Sequence, residues 1–165
     1  MPGSTSIVAP QFTILYDGAC PLCLREVSFL RHRDQRLHPQ AAQLAFVDID
    51  SADYDPGSHG GIDYATAMGR IHGIDADGAV LRDVAVFRRA YALVGLGWLY
   101  APSAWPLLGS LADAAYRLWA SLRLRLTGRP PLAELCAARG GSCHPLPHAS
   151  PPCPTNFNGG RLPWP

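Results

Sequence analysis

The stretch "FTILYDGACPLCLREVSFL", residues 12–30, decides how this chain is read. It opens on five apolar, β-prone residues, Phe12 to Tyr16, which read as a strand, and Asp17-Gly18 closes the run with a turn signal. A helix is expected from Cys20. Pro21 falls in the first turn, where proline's missing N–H costs nothing, and Leu24, Val27 and Leu30 recur at helical spacing. A C-x-x-C pair therefore sits where a strand turns into a helix. Cys20 and Cys23 are open to three readings: a redox couple, half of a metal site, or small core residues.

Further along, residues 44–49 (LAFVDI) are nearly continuous in apolar character, as a buried strand should be. Strand, helix, strand implies a right-handed crossover onto a parallel neighbour. A loop rich in Asp, Gly and Ser follows (50–61), then RIHGI, the turn Asp75-Ala76-Asp77-Gly78, and AVLR, which together read as an antiparallel hairpin. Val84, Phe87, Tyr91, Val94 and Trp98 share one helical face; Leu108, Leu111, Ala115, Leu118 and Leu122 share another, and Pro102 and Pro106 part the two. A β-α-β unit, a β-hairpin and C-terminal helices around a small mixed sheet is the order of the thioredoxin-like α/β fold. The domain is expected over 11–130. Residues 131–165 are dense in Pro, Gly and Cys and read as a disordered tail.

The 165 residues suffice for one domain with a real core, and 48% hydrophobic with 16% charged residues is ordinary for a globular protein. A net charge of +1 gives no push toward nucleic acid. All 14 basic residues are arginine, which excludes a P-loop lysine and a Schiff-base lysine together. The N-terminus, MPGSTSIVAPQF, has neither a basic n-region nor an apolar h-region, so a cytoplasmic location is expected. In that compartment a C-x-x-C is catalytic or metal-binding before it is a structural staple. Residues 90–112 carry no charge, yet Gly95, Gly97, Pro102 and Pro106 interrupt them, so two amphipathic helices fit better than a membrane span. Peripheral membrane contact stays open, because Arg117, Arg123, Arg125 and Arg129 flank an apolar face.

The first turn of a helix presents N–H groups without intrahelical partners and the positive end of the dipole. A thiolate placed there is stabilised, and the two-residue spacing lets a second thiol close a tight ring. Cys20 is thus expected to be the exposed nucleophile and Cys23, one turn further in, the resolving thiol. Asp17 has two readings. It accepts a proton or tunes the couple, or its carboxylate closes an Asx-type turn ahead of the helix.

"YDGACPLCLREVSFL" resembles the signature of the DCC family of thiol-disulfide oxidoreductases, here Asp17, Cys20 and Cys23. The resemblance runs on through "FVDID", "YATAMGRIHGIDADGAVLRDVAVFRRAY", "GLGWLYAPSAWPLL" and "DAAYRLWASLRLRLTGR", about residues 12 to 130. It implies a thioredoxin-like fold and dithiol/disulfide activity without a bound organic cofactor, on a disulfide-containing substrate, completed by a thiol reductant of the thioredoxin or glutathione type. The wider fold usually places a cis-proline before the first hairpin strand; the matching stretch here, "ATAMGR", has none, and Met68 or Gly69 is expected nearest the cysteines.

Rival sites fail on spacing. A structural zinc needs a second cysteine pair, and Cys136, Cys143 and Cys153 do not repeat C-x-x-C. Cys143, His144, His148 and Cys153 form a weak alternative metal set within the tail. An aspartate-nucleophile phosphatase lacks its second acid, since position 19 is Ala, and a C-x5-R enzyme would need arginine where Glu26 stands. Asp48, Asp50, Asp53 and Asp55 miss the calcium-loop pattern and read as a solvated loop. His72 is read as a strand histidine, and Trp98, Trp105 and Trp119 as helix-packing residues. A vestigial-thiol adaptor on the same scaffold is the non-enzymatic alternative.

Overall fold

The computed structural model describes residues 9–104 and 106–138. Strand β1 (Phe12–Tyr16) leads into helix α1 (Pro21–Leu37), which returns to β2 (Leu44–Asp48). Short α2 (Tyr64–Gly69) precedes the hairpin β3 (His72–Asp75) and β4 (Val80–Arg82); then come α3 (Val84–Leu93), α4 (Gly97–Tyr100), a 3-10 turn (Ala101–Ala104), α5 (Pro106–Leu126) and α6 (Leu132–Ala138). The sheet order is β2-β1-β3-β4, with β1 parallel to β2 and antiparallel to β3. This is the mixed sheet of the thioredoxin-like arrangement expected above.

As an inner strand, β1 buries residues on both faces. Phe12 and Ile14 pack with Leu30, Val86, Ala90 and Val94 beneath α1 and α3. Leu15 packs on the opposite face with Ile49, Ile62, Ala67 and Met68. Gly73, opposite Ile14, is required by close approach, since a Cβ there would overlap the Phe12 ring. The crossover is tied by Asp34. Its buried carboxylate accepts the N–H groups of Gln43 (3.0 Å) and Leu44 (3.0 Å) and contacts His38 Nδ1 at 2.8 Å, so the end of α1 is fastened to the start of β2.

The face expected of α3 holds at Phe87, Tyr91 and Val94, which meet the core, and the departures begin after it. In α3 the buried residues are Val86, Ala90 and Tyr91. Trp98, placed on the same face by periodicity, sits on the separate helix α4 and is 71% exposed. In α5 the leucine stripe points outward: Leu111, Leu118 and Leu122 are exposed, while Ala120 and Arg123 are buried. No helix among the described residues is long and apolar enough to cross a membrane. Residues 132–138, assigned to the tail by composition, are helical, and α6 packs against α2. The remaining tail, with Cys143, His144, His148 and Cys153, lies outside the described residues, as does Trp105.

Candidate active site

Three consecutive local devices build the turn between β1 and α1. Asp17 Oδ1 accepts the N–H of Ala19 at 3.0 Å, which is the Asx-type turn. The N–H of Gly18 reaches Asp48 Oδ1 at 2.8 Å, and a side chain at Gly18 would overlap that carboxylate, so the turn and β2 close together only around glycine. Cys20 then serves as the N-cap of α1: its Sγ accepts the N–H of Cys23 at 3.4 Å. A sulfur thus occupies the place a serine or aspartate oxygen usually takes at a helix start.

Both thiols are free. Their exposure reverses the expectation: Cys20 is 1% exposed, and Cys23 is the more accessible of the two. The N-cap geometry turns the Cys20 sulfur inward over the helix end, whereas Cys23 lies on the flank of the first turn. Burial pushes the Cys23 thiol up to about 12, and its link to Cys20 adds to this, while the Arg123 guanidinium pulls the other way.

Two arginines missed by sequence reasoning complete the site. Arg123, counted among the basic residues flanking an apolar face, is buried. Its Nη1 lies 3.6 Å from Cys23 Sγ and its Nη2 donates to the Met68 carbonyl at 2.5 Å. Arg129 Nη2 stands 3.2 Å from both Asp17 Oδ1 and Asp50 Oδ1. Asp17 is therefore a turn residue and one half of a buried ion pair at once. Only Arg117 and Arg125 of the expected basic flank are exposed, and Arg25 is likewise exposed. No local signal separates Arg123 and Arg129 from the exposed Arg125 within "RLRLTGR", and hydropathy assigns all three to the surface.

The stretch "ATAMGR" forms α2 and its exit, with no cis peptide among the described residues. Met68 is fully buried and reaches the cysteines through Arg123, by its carbonyl. His72 is buried, with Nδ1 2.9 Å from the Arg70 carbonyl and Nε2 without a partner, and burial lowers its pKa. It is not part of the cavity wall around the thiols. The acidic loop is not simply solvated: Asp48 holds Gly18 and Asp50 pairs with Arg129. No cluster of three or more His, Cys, Asp or Glu with metal-binding geometry occurs among the described residues. Cys136, on α6, is disulfide-bonded.

A mixed β-α-β-hairpin sheet with a free C-x-x-C pair at the start of its first helix defines the dithiol class of thioredoxin-like proteins. Residues 14–129 match the model of the DCC1-like thiol-disulfide oxidoreductase family, and the chain belongs to that family. It is also similar to an uncharacterized chloroplastic protein of Arabidopsis thaliana, 47% identical over 129 residues, which are 78% of this chain. The aligned region is 58% of that relative's length. No solved structure matches. The relative corrects one expectation: it is a chloroplastic protein, and the cytoplasmic location drawn from the N-terminus does not stand.

Proposed function

We propose that the chain catalyses thiol–disulfide exchange through Cys20 and Cys23, with Cys20 attacking and Cys23 resolving. The observation that carries this reading is the N-cap contact. A thiolate on Cys20 is met by the Cys23 N–H at 3.4 Å and by the helix dipole, whereas the Cys23 thiol, pushed up to about 12, holds its proton. Asp17 supports the turn and, through Arg129, fixes the charge beneath it.

The reaction balances through the sulfurs alone. The Cys20 thiolate attacks one sulfur of R–S–S–R′, forming a Cys20–S–S–R mixed disulfide and releasing R′S⁻, which takes a proton from water. Cys23 then gives up its proton and attacks the Cys20 sulfur, forming the Cys20–Cys23 disulfide and releasing RS⁻. A thiol reductant of the thioredoxin or glutathione type returns two electrons, and no organic cofactor takes part. The direction of flow follows the reduction potential, which for C-x-x-C proteins runs from about −270 to −120 mV.

A redox titration in graded glutathione buffers, with alkylation and mass spectrometry of each cysteine, tests this. The expected result is a reversible two-electron transition that links Cys20 to Cys23, scored separately from the Cys136 disulfide. Cys20→Ser should abolish exchange, while Cys23→Ser should accumulate the mixed disulfide on Cys20. A pair that stays unlinked across the whole range, or a Cys20→Ser protein with undiminished exchange, overturns the assignment.

A further inference from the structure

The two sulfurs open onto a cavity of about 280 Å³ between the sheet and helices α1, α3 and α5. Small-molecule sites begin at about this size, ~300 Å³. Its floor and sides are apolar, with Ile14, Val27, Val86, Phe87 and Ala90 among them. The charged groups in the wall are Asp17, Glu26 and Arg123. The two acids already have partners: Arg129 pairs with Asp17, and the Tyr91 hydroxyl donates to Glu26 at 2.7 Å. Arg123 is different. It is 7% exposed, its Nε is buried without a partner, and no carboxylate among the described residues pairs with it. A carbonyl and a thiol take two of its nitrogens, but neither carries the negative charge that would balance a buried guanidinium, so the group marks a place where an anion arrives.

We propose that this cavity binds a small disulfide with an apolar body, and that Arg123 receives the thiolate that leaves it. The inference rests on the exchange reading above and names its substrate class. Cys20 and Cys23 both belong to the wall of this cavity, Cys23 being the more accessible, so a compact molecule seated in it lies beside the pair. The apolar wall holds the body of the substrate. When Cys20 attacks, the bond between the two substrate sulfurs breaks and its electron pair goes to the departing sulfur. That sulfur becomes an anion in an apolar enclosure beside the Arg123 guanidinium, whose charge stabilises it. The same guanidinium, 3.6 Å from Cys23 Sγ, then serves the Cys23 thiolate in the resolving step. Arg123 is on these terms a catalytic residue.

Two measurements on the reduced full chain test this. In the first, ligand-observed NMR follows thioanisole, an aromatic thioether with no disulfide to react, against 2-(methylthio)ethanol as the polar control. Thioanisole should bind and the control should not. In the second, single-turnover rates are taken with substituted diphenyl disulfides and with hydroxyethyl disulfide, each divided by its rate with a free small thiol. The aromatic series should be favoured about tenfold or more, the scale set by burying one ring. Arg123→Gln should slow the disulfides with the least acidic leaving thiols by about tenfold and steepen the dependence on leaving-thiol acidity, and Arg123→Lys should restore part of it. Equal normalised rates for both classes, an unchanged leaving-thiol dependence in Arg123→Gln, or thioanisole that does not bind overturns the proposal. Exchange with no disulfide at all would instead sink the exchange reading itself. If the Arg123 variants do not fold, thioanisole binding and the normalised rates of the unmodified protein decide the matter.

Discussion

At Cys23 the competition is between burial, which disfavours the thiolate, and Arg123, which favours it, and burial wins. Cys23 therefore stays protonated through the neutral range, and its alkylation in the reduced protein should rise about tenfold per pH unit from 7 to 10 without a plateau. The same shift is a stability statement. The folded value, about 12, stands above the ordinary 9.0, so this contribution is whole below pH 9 and is lost as pH rises from there through 12. Urea titrations of the reduced protein should show stability falling above pH 9, and Cys23→Ser should flatten that fall. Asp17 carries a second prediction. Arg129→Ala removes the ion-pair partner of this buried carboxylate, and should cost about 3 kcal/mol, most of it recovered by adding Asp17→Asn. The sequence displayed Asp17, Cys20 and Cys23 because a turn signal and a helix start are local. It could not display Arg129, which meets Asp17 across 112 positions of chain.

Among the elements, β1, α1, β2 and the hairpin were legible, because each is marked by its own short-range chemistry: alternation or apolar run, a proline in the first turn, a Gly-containing turn. Asp34 shows what fastens them. Asp34→Ala would orphan the N–H groups of Gln43 and Leu44, and should destabilise the protein by about 3 kcal/mol, read from urea unfolding. The face of α3 was legible through Phe87, Tyr91 and Val94; that of α5 was not. A helix rich in leucine and alanine offers more than one apolar stripe, and periodicity alone does not say which one is covered. In α5 the covered face is the one that carries Arg123, a residue hydropathy assigns to water. It is tolerated inside because a carbonyl and a thiol take two of its nitrogens.

Across the whole molecule, the sheet supplies the platform and the C-terminal helices supply the charge. The two core clusters on either side of β1 hold α1 above one face and α2 beneath the other, and the thiols emerge where these layers meet. Leu30, 2% exposed in the first cluster, anchors α1 there. Leu30→Ala should lower stability by about 3 kcal/mol in urea and slow single-turnover exchange by loosening the helix start. The order of the elements was readable as a thioredoxin-like plan; the closing of α5 over the dithiol was not, since it depends on tertiary packing of residues far from the motif.

The placing of Arg123 and Arg129 also sets a clock. The cysteines at positions 20 and 23 are made before the two guanidinium groups that meet Cys23 and Asp17, which arrive about a hundred residues later. A nascent chain thus exposes its dithiol to the ribosome's surroundings without those groups, as two ordinary cysteines of a growing peptide. The surroundings of the dithiol are therefore complete only when the end of α5 docks, long after the cysteines themselves are made.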